Sequence, residues 1–539
     1  MVKTQSRIDR QKLLVALMIL VALALSASSA WQSRDTPQLG FLKDDELYLV
    51  SAKSLADGSG YRLVSFPGSP DHTKYPPGYP LLLTVAWKLG GGYPGVLPWA
   101  SFFGWLTIPV LTGLSLLLFK TFGINGWRAG ALAALLAINP YFTLFGVNLL
   151  SENTFLCLLL ASFLLVARNT ENSPLLAGLT ASLAFLTRSA AIVLLVSQPL
   201  AYLFRRSRRH ALLFLAGILP AVIAWMAWAR LHTPAPGPDW IVTYYTNYFG
   251  YQLQNTPIEI IPILLWKNLD GLLFSMGSLL FPRVVDLLPA KIVAQVISLM
   301  MISGVVRLAR RVPVTRDYAL FGAASLSLLL IWHFPPTERF LLPIAPLLFA
   351  GFLSEVDHVA GLVRSALAHK DKSQRVAAGI MAVVLAGFLL ACVGLQVWVS
   401  QEFMPAVAQQ WRERRLAHQP AYDWIRKNTP PDAAFVAADD GLLYLETGRQ
   451  ATTIPLPTRY WYLDSYASHA LEIYGNIRQL SRNHGVRYVY YSRNDLDGEL
   501  GPEDRSALER VMRDNVHLRT VWEGKQSVIF EVKDAAVSH

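Results

Sequence analysis

Apolar positions along this chain come in long unbroken blocks, not in the alternation of a half-buried strand or the single stripe of a soluble helix. Blocks long enough to cross a bilayer, allowing for tilt, fall near 13–30, 96–119, 128–147, 150–167, 175–204, 211–230, 289–309, 318–333, 339–354 and 377–400. Block 175–204 is too long for one span and is interrupted by Arg188, which predicts two short helices meeting there. The pattern changes after Ser400. Residues 401–539 are richly charged and read as alternating helices and strands: "QPAYDWIRKN" as an amphipathic helix, "AAFVAA" as a strand, "HGVRYVYYS" as a Gly turn and a second strand.

These blocks predict a polytopic α-helical membrane protein of about 11–13 spans with a C-terminal soluble α/β domain. The division expected is a membrane domain over 1–400 and a soluble domain over 401–539, with a first outer loop at 31–95. Basic residues set the orientation. Placing 1–12, 205–210, 307–316 and 364–375 in the cytoplasm is self-consistent, and it leaves 31–95, the aromatic segment 231–288, the turn "HFPPTER" and the tail outside. That is the multi-pass topology of a cell inner (plasma) membrane protein with an extracytoplasmic tail.

Composition adjusts this picture in two places. The net charge of +11 would suit nucleic acid, but the basic residues sit beside apolar blocks ("RRSRRH", "RLARR"), so topology accounts for them and no nucleic-acid partner is expected. Cys157 and Cys392 each stand alone in an apolar block, which leaves no disulfide framework and no Cys-based metal site.

Candidate chemistry concentrates in the first outer loop. "DDELYLVSAKSLADGSGY" opens with Asp44, Asp45 and Glu46 where a helix would begin, and Tyr48 continues the face of Asp44 at helical spacing. Acids suit a helix N-terminus for dipole reasons alone. Lys74 and Tyr75 follow just before Pro76 and Pro77, which stiffen the chain, so a cation and an acid cluster share one membrane face. A carboxylate there can take a proton from an acceptor during transfer of a group from phosphate, and a cation can hold the departing charge.

The stretch "DDELYLVSAKSLADGSGY…KYPPGYPLLL" resembles the first extracytoplasmic loop of the GT-C glycosyltransferases related to the protein O-mannosyltransferases and the lipid A aminoarabinose transferase. "NPYFTLFGVNLLSEN", "LAFLTRSAAI", "ERFLLPIAPLL" and "AYDWIRKNTPPDAAF" resemble further family segments in the same order, with Phe340 where the family has Tyr. The resemblance implies a membrane glycosyltransferase, hexosyl- or pentosyl-transferring, that takes a monosaccharide from a polyprenyl-phosphate donor. The acceptor would be a glycan, lipid or protein on the extracytoplasmic face. It casts Asp44 as general base, Asp45 as a supporting acid and Lys74 as a phosphate contact, with Tyr48 and Tyr75 beside them. Thr73 stands where a metal-binding relative has an acid, so no cofactor is assigned and a divalent metal is left open.

Glu152, Arg188, Glu338 and Arg339 are the remaining substrate-binding candidates. Glu152 either lines a cavity or caps a helix; Arg188 either meets lipid phosphate or snorkels at a helix junction; Glu338 and Arg339 are either site residues or a surface ion pair. His232 reads as structural, and Asp439, Asp440 and Arg449 are either a second site in the tail or a strand-end turn. The rival readings are a transporter or flippase of lipid-linked saccharide, which would show repeated halves, and a GT-C oligosaccharide ligase.

Overall fold

A computed structural model describes residues 2–34, 39–40, 42–168, 170–234, 240–282, 288–369, 371–454, 458–462, 466–496 and 500–533. It resolves into two compact units: Met1–Arg34, Phe102–Ala224 and Leu265–Ala408 form one, while Asp35–Ser101, Trp225–Leu264 and Gln409–His539 form the other.

The first unit is helical and built for lipid. Among the described residues seven helices are long and apolar enough to cross a membrane, or eight if Trp127–Ile138 and Pro140–Val147, bent by 46° at Asn139, make one span. The chain is a multi-pass membrane protein. As expected from the interrupted block, Ser173–Thr187 stops at an extended Arg188 and the chain resumes as Ser189–Phe204.

Interhelical contacts give each pass its direction. Gly130 packs on Val15 and Met18 of the helix Val2–Gln32, and Thr143 meets Ser26 at 3.3 Å, so the bent pair runs alongside the first helix. Arg205 pairs with Asp317, and Arg307 bonds Glu355 at 2.9 Å, which draws the chain near 205, 307–317 and 355 together at one end. Glu152, Arg188 and Arg339 converge at the other. Besides the seven or eight candidate spans, Ser173–Thr187 and Ser189–Phe204 are shorter apolar helices among the described residues.

Segment 231–288 departs from the reading as a simple outer loop. It contains the helices Trp240–Thr246, Tyr248–Gln254 and Ile261–Ser278, the last within a stretch long enough to cross. Yet Asn268 donates to the carbonyls of Leu330 at 3.0 Å and Trp332 at 2.8 Å, Ser275 donates to Pro336 at 3.3 Å, and the Leu279 carbonyl accepts from Gln396 at 2.9 Å. All these partners lie at the non-basic end of their helices. Ile261–Ser278 therefore meets these neighbours at that end, its Asn268 amide and Ser275 hydroxyl satisfying carbonyls that lipid could not.

Glycines set the tightest helix contacts. A Cβ at Gly351 would fall 2.5 Å from the Met301 carbonyl oxygen and 2.6 Å from a Val305 methyl, so only Gly lets Leu288–Ala309 approach Ala345–Leu367 this closely.

The second unit holds a five-stranded sheet of β1 (Ala434–Val436), β2 (Ala451–Thr452), β3 (Val486–Ser492), β4 (Leu518–Glu523) and β5 (Ser527–Val532), ordered β2-β1-β3-β5-β4. β1 runs parallel to β2 and β3, whereas β5 is antiparallel to β3 and β4. Gly485, at φ 64°, ends the helix Ile477–His484 and turns the chain into β3. One core joins three distant stretches: Leu47, Leu63 and Phe66 from the first loop, Ile241 and Tyr245 from Trp240–Thr246, and Val436, Val489 and Phe530 from the sheet. The sheet's edge is used as well, because Ala451 of β2 donates its N–H to the Ser65 carbonyl at 2.8 Å.

Candidate active site

In the second unit the helix Asp44–Ala56 begins where the acid run predicts. Lys43, just before it, adopts a left-handed φ of 61° that is uncommon outside glycine, and its ammonium donates to Thr453 at 3.2 Å. Asp44, half-buried, accepts the Tyr75 hydroxyl at 2.6 Å. Asp45 is fully buried and its Oδ1 accepts the Glu46 N–H at 3.0 Å, so it stiffens the helix start. Tyr48 is buried and packs against Tyr75 and Tyr79, each at 5.1 Å between ring centres.

The Lys74–Tyr75 segment is aimed by a buried framework that the sequence did not disclose. His72 takes a 2.5 Å hydrogen bond with Ser51 through Nδ1, stacks on Tyr61 at 4.9 Å, and donates its backbone N–H to the Tyr61 carbonyl. The Tyr61 hydroxyl in turn donates to the Tyr75 carbonyl at 2.9 Å. Burial, and then the charge of Lys74, push the His72 pKa down to about 3, so the ring is a neutral structural wedge.

Lys74 sits among aromatic faces. Its ammonium lies 4.0 Å from the Tyr244 ring centre, 4.4 Å from Tyr248 and 5.3 Å from Tyr75. Burial lowers its pKa to about 8, opposed by the charges of Asp44 and Asp440. Asp440, from the tail helix Asp440–Thr447, accepts the Tyr245 hydroxyl at 2.8 Å, and burial raises its pKa to about 6. Asp440 thus belongs to the electrostatic surroundings of Lys74, where the sequence offered a separate site in the tail or a turn.

The first unit brings together the other candidates. Glu152 starts its helix fully buried, and its Oε1 receives Arg188 at 2.9 Å and also Arg339, while Arg188 further donates to Ser151 at 3.2 Å. One buried carboxylate thus sits between two guanidiniums. Glu338 opens the short helix Glu338–Leu341 and is half-buried. Asp44, Lys74 and Tyr75 therefore form one cluster, and Glu152, Arg188 and Arg339 a second. His232 bonds and stacks on Trp228, and Arg449 ties the carbonyls of Arg426, Thr429 and Thr447. Among the described residues no group of three or more His, Cys, Asp or Glu side chains converges to hold a metal ion.

No protein-family model matches the sequence, and no curated protein does. Solved structures do match. ArnT from Cupriavidus metallidurans bound to undecaprenyl phosphate aligns over 96% of this chain and 97% of its own, at 12% identity and TM-score 0.52; its apo state gives 13% and 0.53 over the same shares. The Archaeoglobus fulgidus oligosaccharyltransferase, tethered with an acceptor peptide, covers 88% of this chain and 69% of its own, at 11% identity and TM-score 0.50. The fold is GT-C.

Within this GT-C fold, sequence reasoning missed Lys43, His72, Tyr244, Tyr248 and Asp440 as members of the Asp44 cluster. A signal existed for two of them: Tyr244 and Tyr248 are spaced i, i+4 in an aromatic run. The rest come from segments hundreds of residues apart or from a loop with no periodicity.

Proposed function

We propose that this GT-C chain is a membrane glycosyltransferase that moves a monosaccharide from a polyprenyl-phosphate donor to an acceptor on the extracytoplasmic face. The observation that carries the reading is the Asp44 carboxylate, bonded to Tyr75, beside the half-buried Lys74 ammonium whose charge it feels. In the reaction the acceptor oxygen or nitrogen attacks the anomeric carbon while its proton passes to Asp44. The bond from that carbon to the phosphate oxygen breaks, and the phosphate leaves with the electron pair. Lys74 neutralises charge growing on that phosphate.

A lipid phosphate as leaving group is supported by the likeness to ArnT, solved with undecaprenyl phosphate. Arg205, Arg209, Arg307, Arg311 and Arg316 gather at the basic end, which agrees with a cytoplasmic placement of that end in the inner (plasma) membrane. Residues 1–400 would then be the transferase proper and 401–539 an extracytoplasmic domain. The test is release of polyprenyl phosphate from radiolabelled polyprenyl-phosphate sugar by purified protein, with and without envelope extract as acceptor. Transfer with stoichiometric release is expected; movement of intact donor across vesicles without bond cleavage would replace the transferase by a flippase.

A further inference from the structure

Glu46 lies two residues beyond Asp44 and is only 1% exposed, out of reach of any acceptor. Its Oε2 accepts the backbone N–H of Leu442, in the first turn of Asp440–Thr447, at 3.1 Å. Its Oε1 is buried with no hydrogen-bond partner. Two glycines shape the space around it. A Cβ at Gly441 would fall 2.7 Å from the Glu46 Cβ and 2.8 Å from Oε2; one at Gly40 would fall 3.2 Å from Oε1 and 3.4 Å from Asp439 Oδ2.

The charged groups facing Glu46 are three acids, Asp45, Asp439 and Asp440, and one cation, Lys43. Asp440 also accepts Tyr245, and Lys43 also donates to Thr453. An ionised Glu46 would add a desolvated fourth negative charge against that single cation.

We propose that Glu46 is a neutral carboxylic acid that fastens the helix carrying Asp44 to the tail helix Asp440–Thr447, making it a positioning residue. The carbonyl oxygen takes the Leu442 N–H and the hydroxyl occupies the Oε1 side, next to Asp439. Burial, and then the charges of Asp439, Asp45 and Asp440, hold Glu46 well above the usual carboxylate range, in keeping with this geometry. The tail is then part of the scaffold of the reaction site. Fastening and protonation stand without the reading of Asp44 as base; only the word positioning rests on it.

The sign of the pH effect follows. A carboxyl whose folded pKa is raised contributes stability that is fully present below its unfolded value and is lost as pH climbs through the folded one. Wild type should therefore lose stability toward alkaline pH, and Glu46→Gln, which stays neutral and keeps an acceptor for Leu442, should not.

The test uses full-length protein in detergent or nanodiscs. Infrared difference spectra of wild type at pH 7 should show a protonated-carboxyl carbonyl band that vanishes in Glu46→Gln, and the melting temperature of Glu46→Gln minus that of wild type should grow with pH. Glu46→Ala should cut turnover by about tenfold or more and expose the tail to limited proteolysis, with Glu46→Gln restoring both to within about twofold. Gly441→Ala, which crowds the contact from the tail side, should copy Glu46→Ala. A missing carbonyl band, Glu46→Gln as impaired as Glu46→Ala, or wild-type behaviour of Gly441→Ala would each overturn the proposal. If Asp44→Asn stays active while these results hold, the base assignment fails and the fastening stands.

Discussion

At the scale of single residues, the proposed chemistry rests on a carboxylate and a cation that the fold places in one cluster. Asp44→Asn keeps size and the Tyr75 contact but cannot take a proton, so turnover is expected to fall by about a hundredfold or more while donor affinity changes little. Comparing turnover with equilibrium binding of the polyprenyl-phosphate sugar checks this. Lys74 titrates near the working range because burial lowers its pKa to about 8. Its charge is present below that value and is lost above it, so turnover is expected to decline on the alkaline side. Lys74→Arg, whose guanidinium stays charged, should lose that alkaline limb, and a pH profile of kcat decides. In the other cluster Arg339→Ala leaves Glu152, which is fully buried, with Arg188 alone. Removing one partner of a buried pair costs about 3–5 kcal/mol, so both melting temperature and turnover should drop, with Arg339→Lys recovering part.

Elements add constraints that no single side chain reveals. Gly351→Leu would drive a side chain into Met301 and Val305, and overpacking of about 1–3 kcal/mol should appear as a lower melting temperature in detergent. Ile261–Ser278 has the length and apolarity of a span, yet Asn268 and Ser275 bond carbonyls at the non-basic ends of neighbouring helices, and the Leu279 carbonyl just beyond it accepts from Gln396 and from Asn139. Cysteines placed at Glu259 and Leu288, both exposed, in a chain lacking Cys157 and Cys392, are expected to label from the same side of the membrane. Labelling from opposite sides would make this helix a crossing and reverse every later pass. Hydropathy alone could not separate these outcomes, because a helix lying across a bundle end and one passing through lipid bury similar apolar surface.

On the scale of the whole molecule, the proposed orientation predicts that a cysteine at Ser59 reacts with an impermeant thiol reagent added outside intact cells and that one at Ser373 does not. The reverse pattern would place the Asp44 cluster in the cytoplasm. What the sequence determined by itself was the membrane class, many of the apolar helices, the break at Arg188 and the start of the Asp44 helix. These rest on local physics: lipid demands contiguous apolar residues, a lone arginine interrupts them, and acids favour a helix N-terminus. Only the tertiary structure decided that Glu152 holds both Arg188 and Arg339, that Tyr244 and Tyr248 surround Lys74, and that Asp440 and the Leu442 N–H of the tail meet residues of the first loop. Such contacts join positions up to 396 residues apart. Their partners are chosen by packing and by the need to satisfy buried polar groups, and neither leaves a period or a spacing in the chain.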